Sequence, residues 1–101
     1  MKLLWLRRAV ADRNAQIDYI AQESPSAAID QGDRVDHQVS RLIDHPDMGR
    51  PGRVKGTREL VIGRTPFIVV YHVNPKAKRI ELLRMLHGSQ QWPPSSPLKA
   101  P

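Results

Sequence analysis

Cysteine is absent from this chain, and so are apolar runs long enough to cross a membrane. Without cysteine the chain can form neither a disulfide framework nor a thiolate zinc site, which is compatible with a reducing compartment. A membrane-spanning helix needs about 18 or more consecutive apolar residues. Residues 1–6 are too few before Arg7 and Arg8 to serve as the apolar core of a signal peptide. The sequence therefore predicts a soluble, cytoplasmic protein without a membrane partner.

The scarcity of aromatic residues limits the kinds of nucleic-acid-binding domain that the chain could form. It has two Trp, two Tyr and one Phe, most of them within apolar runs. Proteins that bind single-stranded nucleic acid stack the bases on exposed aromatic rings. A generic nucleic-acid-binding domain is therefore only a weak candidate for the function of this chain.

Positive charge is what the chain has in excess. Sixteen Lys and Arg against ten Asp and Glu give a net charge of +6. Such a field favours an anionic partner, either nucleic acid or an acidic protein segment, although a small domain can carry the same surplus for solubility alone. With 101 residues the chain has the length of one domain with one core.

The second half of the chain has the pattern of three strands joined by short turns. Residues 57–62 are β-leaning and a Gly-Arg-Thr-Pro break follows them, while six of the seven residues in 67–73 are apolar or aromatic. Asn74 and Pro75 favour a turn, after which residues 79–86 return as a third strand. A meander of this kind is marginally stable alone, so the first half should supply helices that cover it.

The first half has the pattern of one strand and two helices. A short apolar strand is predicted over 2–6 and a helix over 9–23, in which Arg13 and Asn14 interrupt the apolar stripe. Ser24 can cap a helix and Pro25 suits its first turn, so a second helix is predicted to start there and to stop by Pro46. Its buried stripe is predicted to consist of Ala28, Gly32, Val35, Val39 and Leu42. The glycine in this stripe should let the two helices approach closely.

The predicted fold is α+β with the order β-α-α-β-β-β, in which a helical hairpin packs on a small, mostly antiparallel sheet. Residues 1–93 are expected to form one domain, and the proline-rich residues 94–101 a disordered tail. Strict alternation along the last strand would place Arg84 on the face of Leu82 and Leu86, and His87 on the opposite face.

A cluster of cations lies in and beside the loop at residues 46–55. The prolines and glycines of this loop exclude a helix or a central strand. The cluster spans fifteen residues and consists of Arg50, Arg53, Lys55, Arg58 and Arg64. Such a cluster forms either a rim that contacts phosphate or a solvated loop, and the sequence leaves both readings open.

Several motifs resemble those of one bacterial superfamily. A Gly-Arg-Pro-Gly loop precedes the segments GTRELVI, FIVVYHV and LLRMLHGSQQWP. Over residues 5–93 this combination is similar to the RelE/ParE superfamily of type II toxins. The resemblance implies a compact α/β toxin, neutralised by a cognate antitoxin that wraps around it, and hence a toxin–antitoxin hetero-oligomer. No cofactor is implied, and His37, His45 and His72 lack the paired spacing of a metal site.

Members of this superfamily either poison DNA gyrase, as ParE-like toxins do, or cut messenger RNA in the ribosomal A site, as RelE-like interferases do. The resemblance to the interferases implies an Arg before the VVY-like end of the third strand, where this chain has Ile68 or an apolar neighbour. Cleavage through the 2′-hydroxyl needs a base, an acid and cations near the phosphate. ParE-like inhibition of gyrase is therefore favoured, and a metal-independent endoribonuclease acting on ribosome-bound mRNA is the alternative.

The candidate site residues follow from these two alternatives. In a ribonuclease the catalytic candidates would be His87, Arg84 and Arg58. The candidates for contact with a target or with nucleic acid are Arg50, Arg53, Lys55, Arg64, Gln91 and Trp92. Residues 87–92 are mostly polar and follow the last strand, so we expect this segment to be needed for toxicity and largely dispensable for folding.

Overall fold

The computed structural model describes residues 1–93, which contain two α-helices, one 3-10 turn and five strands. These elements are β1 (Lys2–Trp5), α1 (Arg7–Glu23), α2 (Pro25–Ser40), the 3-10 turn (Arg41–Ile43), β2 (Arg50–Pro51), β3 (Arg58–Val61), β4 (Phe67–Asn74) and β5 (Arg79–His87). The predicted tail, residues 94–101, lies outside this part of the chain. Neither of the described α-helices is long and apolar enough to cross a membrane.

One sheet organises the domain, with its strands in the order β1-β5-β4-β3-β2. β1 pairs with β5 in parallel, and the other neighbours are antiparallel. The predicted fold, a helical hairpin on a small and mostly antiparallel sheet, is confirmed. The sequence did not predict β2, which forms because Arg50 and Pro51 pair with the start of β3 at the sheet edge. Proline is tolerated there because an edge strand can do without its N–H.

The helix α1 begins two residues before its predicted start. Arg7 and Arg8 form its first turn, because β1 already ends at Trp5. Arg13, which interrupts the apolar stripe, lies against α2, and its guanidinium donates to the Asp36 carboxylate at 2.9 Å. A Cβ at Gly32 would lie 3.3 Å from the same guanidinium. The glycine therefore makes room for an arginine side chain between the two helices.

The start and the buried face of α2 agree with the prediction. The Ser24 hydroxyl accepts the N–H of Ala27 at 3.2 Å, and Pro25 is the first helical residue. Four of the five predicted stripe residues are buried within the helix, namely Ala28, Gly32, Val35 and Val39. The helix itself ends at Ser40, and the fifth residue, Leu42, is buried in the 3-10 turn that follows.

The core lies between the helical hairpin and one face of the sheet. β4 contributes Phe67, Val69 and Tyr71 to this face, and β5 contributes Ile80, Leu82 and Met85. Because neighbouring side chains of a strand point to opposite faces, Ile68 and Val70 lie on the other face, which we call the outer face. Val70 is fully buried there, and Ile68 is 9% exposed.

A bulge in β5 makes the predicted alternation of this strand wrong. Val70 pairs with Arg84, but the next residue, Tyr71, pairs with Leu82, so that Leu83 is an extra residue in β5. A bulge of this kind shifts the pleat by one residue. Arg84 therefore lies on the outer face and not on the face of Leu82.

Candidate functional site

Two of the predicted loop cations converge on one buried carboxylate. Glu59 Oε1 accepts hydrogen bonds from Arg50 Nη2 at 3.0 Å and from Arg53 Nη2 at 3.2 Å. Its Oε2 accepts the backbone N–H of Arg53 at 3.0 Å. The Glu59 side chain is 0% exposed, whereas those of Arg50 and Arg53 are 53% and 44% exposed. β2 places Arg50 directly opposite Glu59 in the register of the sheet.

These contacts keep Glu59 ionised. Burial raises the pKa of its carboxyl, but hydrogen bonds from the side chain and backbone of Arg53 and from the side chain of Arg50 outweigh burial and lower the pKa from 4.5 to about 2. Glu59 is therefore an anion at neutral pH and offsets one of the two guanidinium charges. The loop rim carries less positive charge than its arginines alone suggest.

A third cation of the cluster, Arg58 of β3, holds the loop at residues 46–49. Its Nη1 donates to the carbonyl of Gly49 at 2.6 Å, and its Nε lies 3.8 Å from the Asp47 carboxylate. On the neighbouring strand the buried Tyr71 donates its O–H to the carbonyl of Pro46 at 2.7 Å, and the same hydroxyl accepts the N–H of Gly49 at 2.9 Å. Burial raises the pKa of this phenol. A Cβ at Gly49 would lie 2.6 Å from the Tyr71 ring, so the close approach requires glycine.

The remaining two cations of the cluster lie apart. Lys55 is exposed in the loop before β3, and Arg64 is exposed in the turn between β3 and β4, where its φ is 62°. The predicted five-cation rim is thus divided into two arginines on a carboxylate, one arginine that holds a loop, and two cations in solvent.

Arg84 makes a two-pronged ion pair with α1. Its Nε donates to Asp12 Oδ2 at 2.7 Å and its Nη2 to Asp12 Oδ1 at 3.1 Å. The side chains of Arg84 and Asp12 are 11% and 18% exposed. The guanidinium carbon also lies 5.3 Å from the centre of the Trp92 ring. One predicted catalytic candidate and one predicted target-binding residue are therefore in contact, and an aspartate that the sequence reasoning missed holds the arginine.

His87 ends β5 on the helix-covered side of the sheet. It pairs with Phe67, and the two rings meet edge to face with their centres 6.4 Å apart. Its Nδ1 accepts the backbone N–H of Ser89 at 3.2 Å, which leaves Nε2 as the protonated nitrogen of the neutral ring. His87 is exposed at the rim of a cavity of about 300 Å³ that Tyr19 of α1 and Gln31 of α2 also line.

The three ribonuclease candidates are not brought together. Arg58 pairs with Tyr71 and His87 pairs with Phe67, four residues apart along β4, which corresponds to about 13 Å. Arg84 lies on the outer face beside Val70, while His87 lies on the core face beside Phe67. Gln91, by contrast, is exposed within the same short segment as His87 and Trp92.

Glu59 and Asp12 are the residues that organise these arginines, and the sequence analysis predicted this role for neither of them. Glu59 carried a usable signal, because a carboxylate in a strand that continues as Leu60, Val61 and Ile62 must find a partner when it is buried. Asp12 carried no comparable signal, because its partner lies 72 residues away in the sequence.

Comparison with known proteins shows where this domain belongs. The family described as the ParE toxin of the type II toxin-antitoxin system parDE matches residues 3–92. The chain is 36% identical to "Putative toxin Y4kP" of Sinorhizobium fredii over 92 residues, which are 91% of this chain and 93% of that protein. It is 32% identical to "Toxin RelE2" of Caulobacter vibrioides over 89 residues, which are 88% and 97% of the two chains.

A solved structure has the same fold at a similar level of identity. It is described as "Chromosomal ParDE TA system from P. aeruginosa", and it matches with a TM-score of 0.75 and 33% identity over 86% of this chain and 95% of that chain. The family match covers the whole described domain apart from the residues at its two ends. Membership in a type II family also implies an antitoxin partner, as the sequence predicted. The chain belongs to the ParE toxin family of type II toxin-antitoxin systems.

Proposed function

We propose that this toxin acts by binding and inhibiting DNA gyrase, without acid–base chemistry of its own. The observation that carries the proposal is the separation of the three groups that a ribonuclease would need. Arg58 donates to a backbone carbonyl, Arg84 is paired with Asp12, and His87 lies at the far end of β4 from Arg58. A general base and a phosphate-binding cation have to reach one substrate together, and these groups do not.

The environment of Ile68 supports the same proposal. Interferases are expected to have an arginine near this position, whereas Ile68 pairs with Val61 on one side and Leu86 on the other and is 9% exposed. An apolar row of this kind stabilises the sheet and offers no charge to a phosphate. Inhibition by binding requires a complementary surface and no proton transfer, so it is compatible with this row.

The segment of residues 87–92 is the surface that we assign to the target. His87 and Gln91 are exposed, and Trp92 is partly buried against Arg84. An aromatic ring beside exposed polar groups is the composition that protein interfaces favour. Lys55 and Arg64 are also exposed, so the candidate target-binding residues extend to the β3 side of the sheet.

The experiment pairs two assays on the purified toxin. One measures supercoiling of relaxed plasmid by gyrase, and the other measures cleavage of mRNA on programmed ribosomes. We expect dose-dependent loss of supercoiling and intact mRNA. In cells that express the toxin alone, plasmid topology should change before protein synthesis fails. Unchanged supercoiling at toxin concentrations far above those of gyrase would refute the proposal.

A ribosome-dependent mRNA interferase is the second candidate, and the exposure of His87 at the rim of a cavity favours it. Histidine is the side chain whose ordinary pKa best suits proton transfer near neutral pH. In that case mRNA would be cut at specific codons, and the cuts would disappear in His87→Ala or Arg84→Ala. Such cuts would replace the gyrase proposal with this one.

We further propose that the antitoxin binds through an acidic or amphipathic segment along the helical hairpin and the sheet edge. Support comes from the net charge of +6 and from Tyr19 and Ile29, which are 64% and 67% exposed on the two helices. The test is binding of the purified toxin to short proteins encoded beside it. Substituting Ile29→Ser should weaken the complex, and a toxin that bound none of these proteins would contradict the proposal.

A further inference from the structure

The edge of β5 beyond the end of β1 is closed by side chains of α1. β1 pairs with β5 as far as Leu82, and no other strand within residues 1–93 lies beside the later residues of β5 on that side. Asp12 Oδ2 accepts the N–H of Met85 at 2.9 Å, and Gln16 Nε2 donates to the carbonyl of Met85 at 2.7 Å. A helix that satisfies the backbone in this way protects an exposed strand edge. Asp12 is thereby fixed by the sheet as well as by its own helix.

Arg84 joins this edge to the end of the described chain. Two nitrogens of its guanidinium, Nε and Nη2, donate to Asp12, and its central carbon lies over the ring of Trp92, 5.3 Å from the ring centre. An arginine can make an ion pair and a cation–π contact at the same time, because its N–H donors point outward in the plane of the guanidinium while an aromatic ring packs above that plane. A lysine ammonium is not planar and cannot divide its contacts in this way. The bulge at Leu83 is what turns Arg84 toward this position.

The segment of residues 87–92 is therefore fastened at two points. At its start the N–H of Gly88 donates to the carbonyl of Pro66 at 2.6 Å, and at its end Trp92 lies on Arg84. Between them Gln90 and Gln91 are exposed. A segment held at both ends loses less conformational entropy on binding than a free one.

We propose that Arg84 is a positioning residue, which holds Trp92 and with it residues 87–92 in the conformation that binds the target, and that Asp12 acts by fixing Arg84. The inference rests on the proposed function, because it takes residues 87–92 to be the target-binding segment. It assigns Arg84 no contact with the target and no proton transfer. The positioning role requires the guanidinium of Arg84 to be held in one orientation, and Asp12 sets that orientation.

The test uses the full chain with Trp5→Phe, so that Trp92 is the one remaining tryptophan. Arg84→Lys and Asp12→Asn are compared with Arg34→Lys, which alters an exposed ion pair on α2. Far-UV circular dichroism establishes that each variant is folded. Acrylamide quenching then reports how well Trp92 is held, and the gyrase assay reports the concentration for half inhibition.

We expect Arg84→Lys and Asp12→Asn to make Trp92 more accessible to acrylamide and to raise the half-inhibiting concentration together, by up to about tenfold, the equivalent of one lost cation–π contact. Arg34→Lys should change neither. Unchanged quenching in both variants, or loosened Trp92 with full inhibition, would overturn the inference. So would loss of inhibition in Arg84→Lys with none in Asp12→Asn, since Arg84 would then contact the target itself.

A failure of the proposed function is distinguishable from a failure of this inference. If Gln91→Ala and Trp92→Ala inhibit gyrase as fully as the parent, the target does not use this segment, and the target assignment fails while the quenching result still stands. If those two variants lose inhibition and Arg84→Lys keeps it, the segment is the binding surface and the positioning role of Arg84 is wrong.

Discussion

The substitution Glu59→Gln tests whether the buried carboxylate organises the loop before β3. Glutamine has nearly the same shape and keeps one acceptor oxygen, but its NH₂ group meets the N–H donors of Arg53. The variant therefore removes one charge and places donors against donors. The fold should survive, because the Tyr71 contacts that hold residues 46–49 are independent of Glu59.

The magnitude follows from the pKa of the carboxyl. A fall from 4.5 to about 2 corresponds to about 3 kcal/mol in favour of the ionised form in the folded state. Arg50 and Arg53 are about half exposed, so in the variant their charges can turn to water and recover part of the loss. We therefore expect a loss of about 2–3 kcal/mol at pH 7, or about 10–20 °C in the midpoint of thermal unfolding for a domain of this size.

The loss of stability in Glu59→Gln should depend on pH in a definite direction. The pKa of Glu59 is lower in the folded state, so its contribution is fully present above about pH 4.5 and declines as the pH falls toward about 2. Glutamine does not titrate. The difference in free energy of unfolding between the parent and Glu59→Gln should therefore shrink over this range, while the other carboxyls affect both proteins alike.

Urea unfolding at a series of pH values measures this difference. The control is Asp30→Asn, which removes an exposed i,i+4 pair with Arg34 and should cost less than about 0.5 kcal/mol at pH 7. A difference for Glu59→Gln that stayed constant from pH 7 to the acid limit would show that the charge of Glu59 is not what stabilises the loop.

Three further substitutions test other parts of the structure. Tyr71→Phe leaves the N–H of Gly49 without its partner and should cost about 1–3 kcal/mol, measured by urea unfolding; a neutral result would mean that water replaces the hydroxyl. Val70→Ala, at a fully buried position of the outer face, should cost about 2 kcal/mol or more while the folded fraction keeps the proposed inhibition of gyrase. His87→Ala, at an exposed position, should melt within about 1 kcal/mol of the parent and lose growth arrest; full arrest would move the functional surface elsewhere.

The elements of the fold could be predicted because local signals mark them. Ser24 and Pro25 mark the start of α2, and the apolar run of β4 marks a central strand, and the structure has both as expected. The parallel pairing of β1 with β5 has no local signal, since it joins residues that are 77 apart, such as Lys2 and Arg79. The predicted fold accordingly went no further than a small, mostly antiparallel sheet and did not include this pairing.

The arrangement of the candidate site could be predicted less well, for a physical reason. A single extra residue, Leu83, reverses the faces of Arg84 and Met85, and a bulge depends on the pairing of two strands rather than on the sequence of one. Likewise the cations of the loop were visible in the sequence, but the anion that pairs with Arg50 and Arg53 is a strand residue whose burial depends on the whole sheet.

Much of the arginine charge of the toxin is offset by carboxylates of the same domain. In the described part of the chain, seven arginines are paired with six carboxylates, and the cation cluster at residues 50–64 supplies three of the seven. Lys2 and Lys78, by contrast, meet at one end of the sheet, where the N–H of Lys2 donates to the carbonyl of Lys78 at 3.1 Å. Lys76 lies in the same turn between β4 and β5. Because Glu59 and Asp47 offset two of the three arginine charges of the cluster, long-range attraction to an acidic partner draws on this lysine-rich end of the sheet as well as on the cluster.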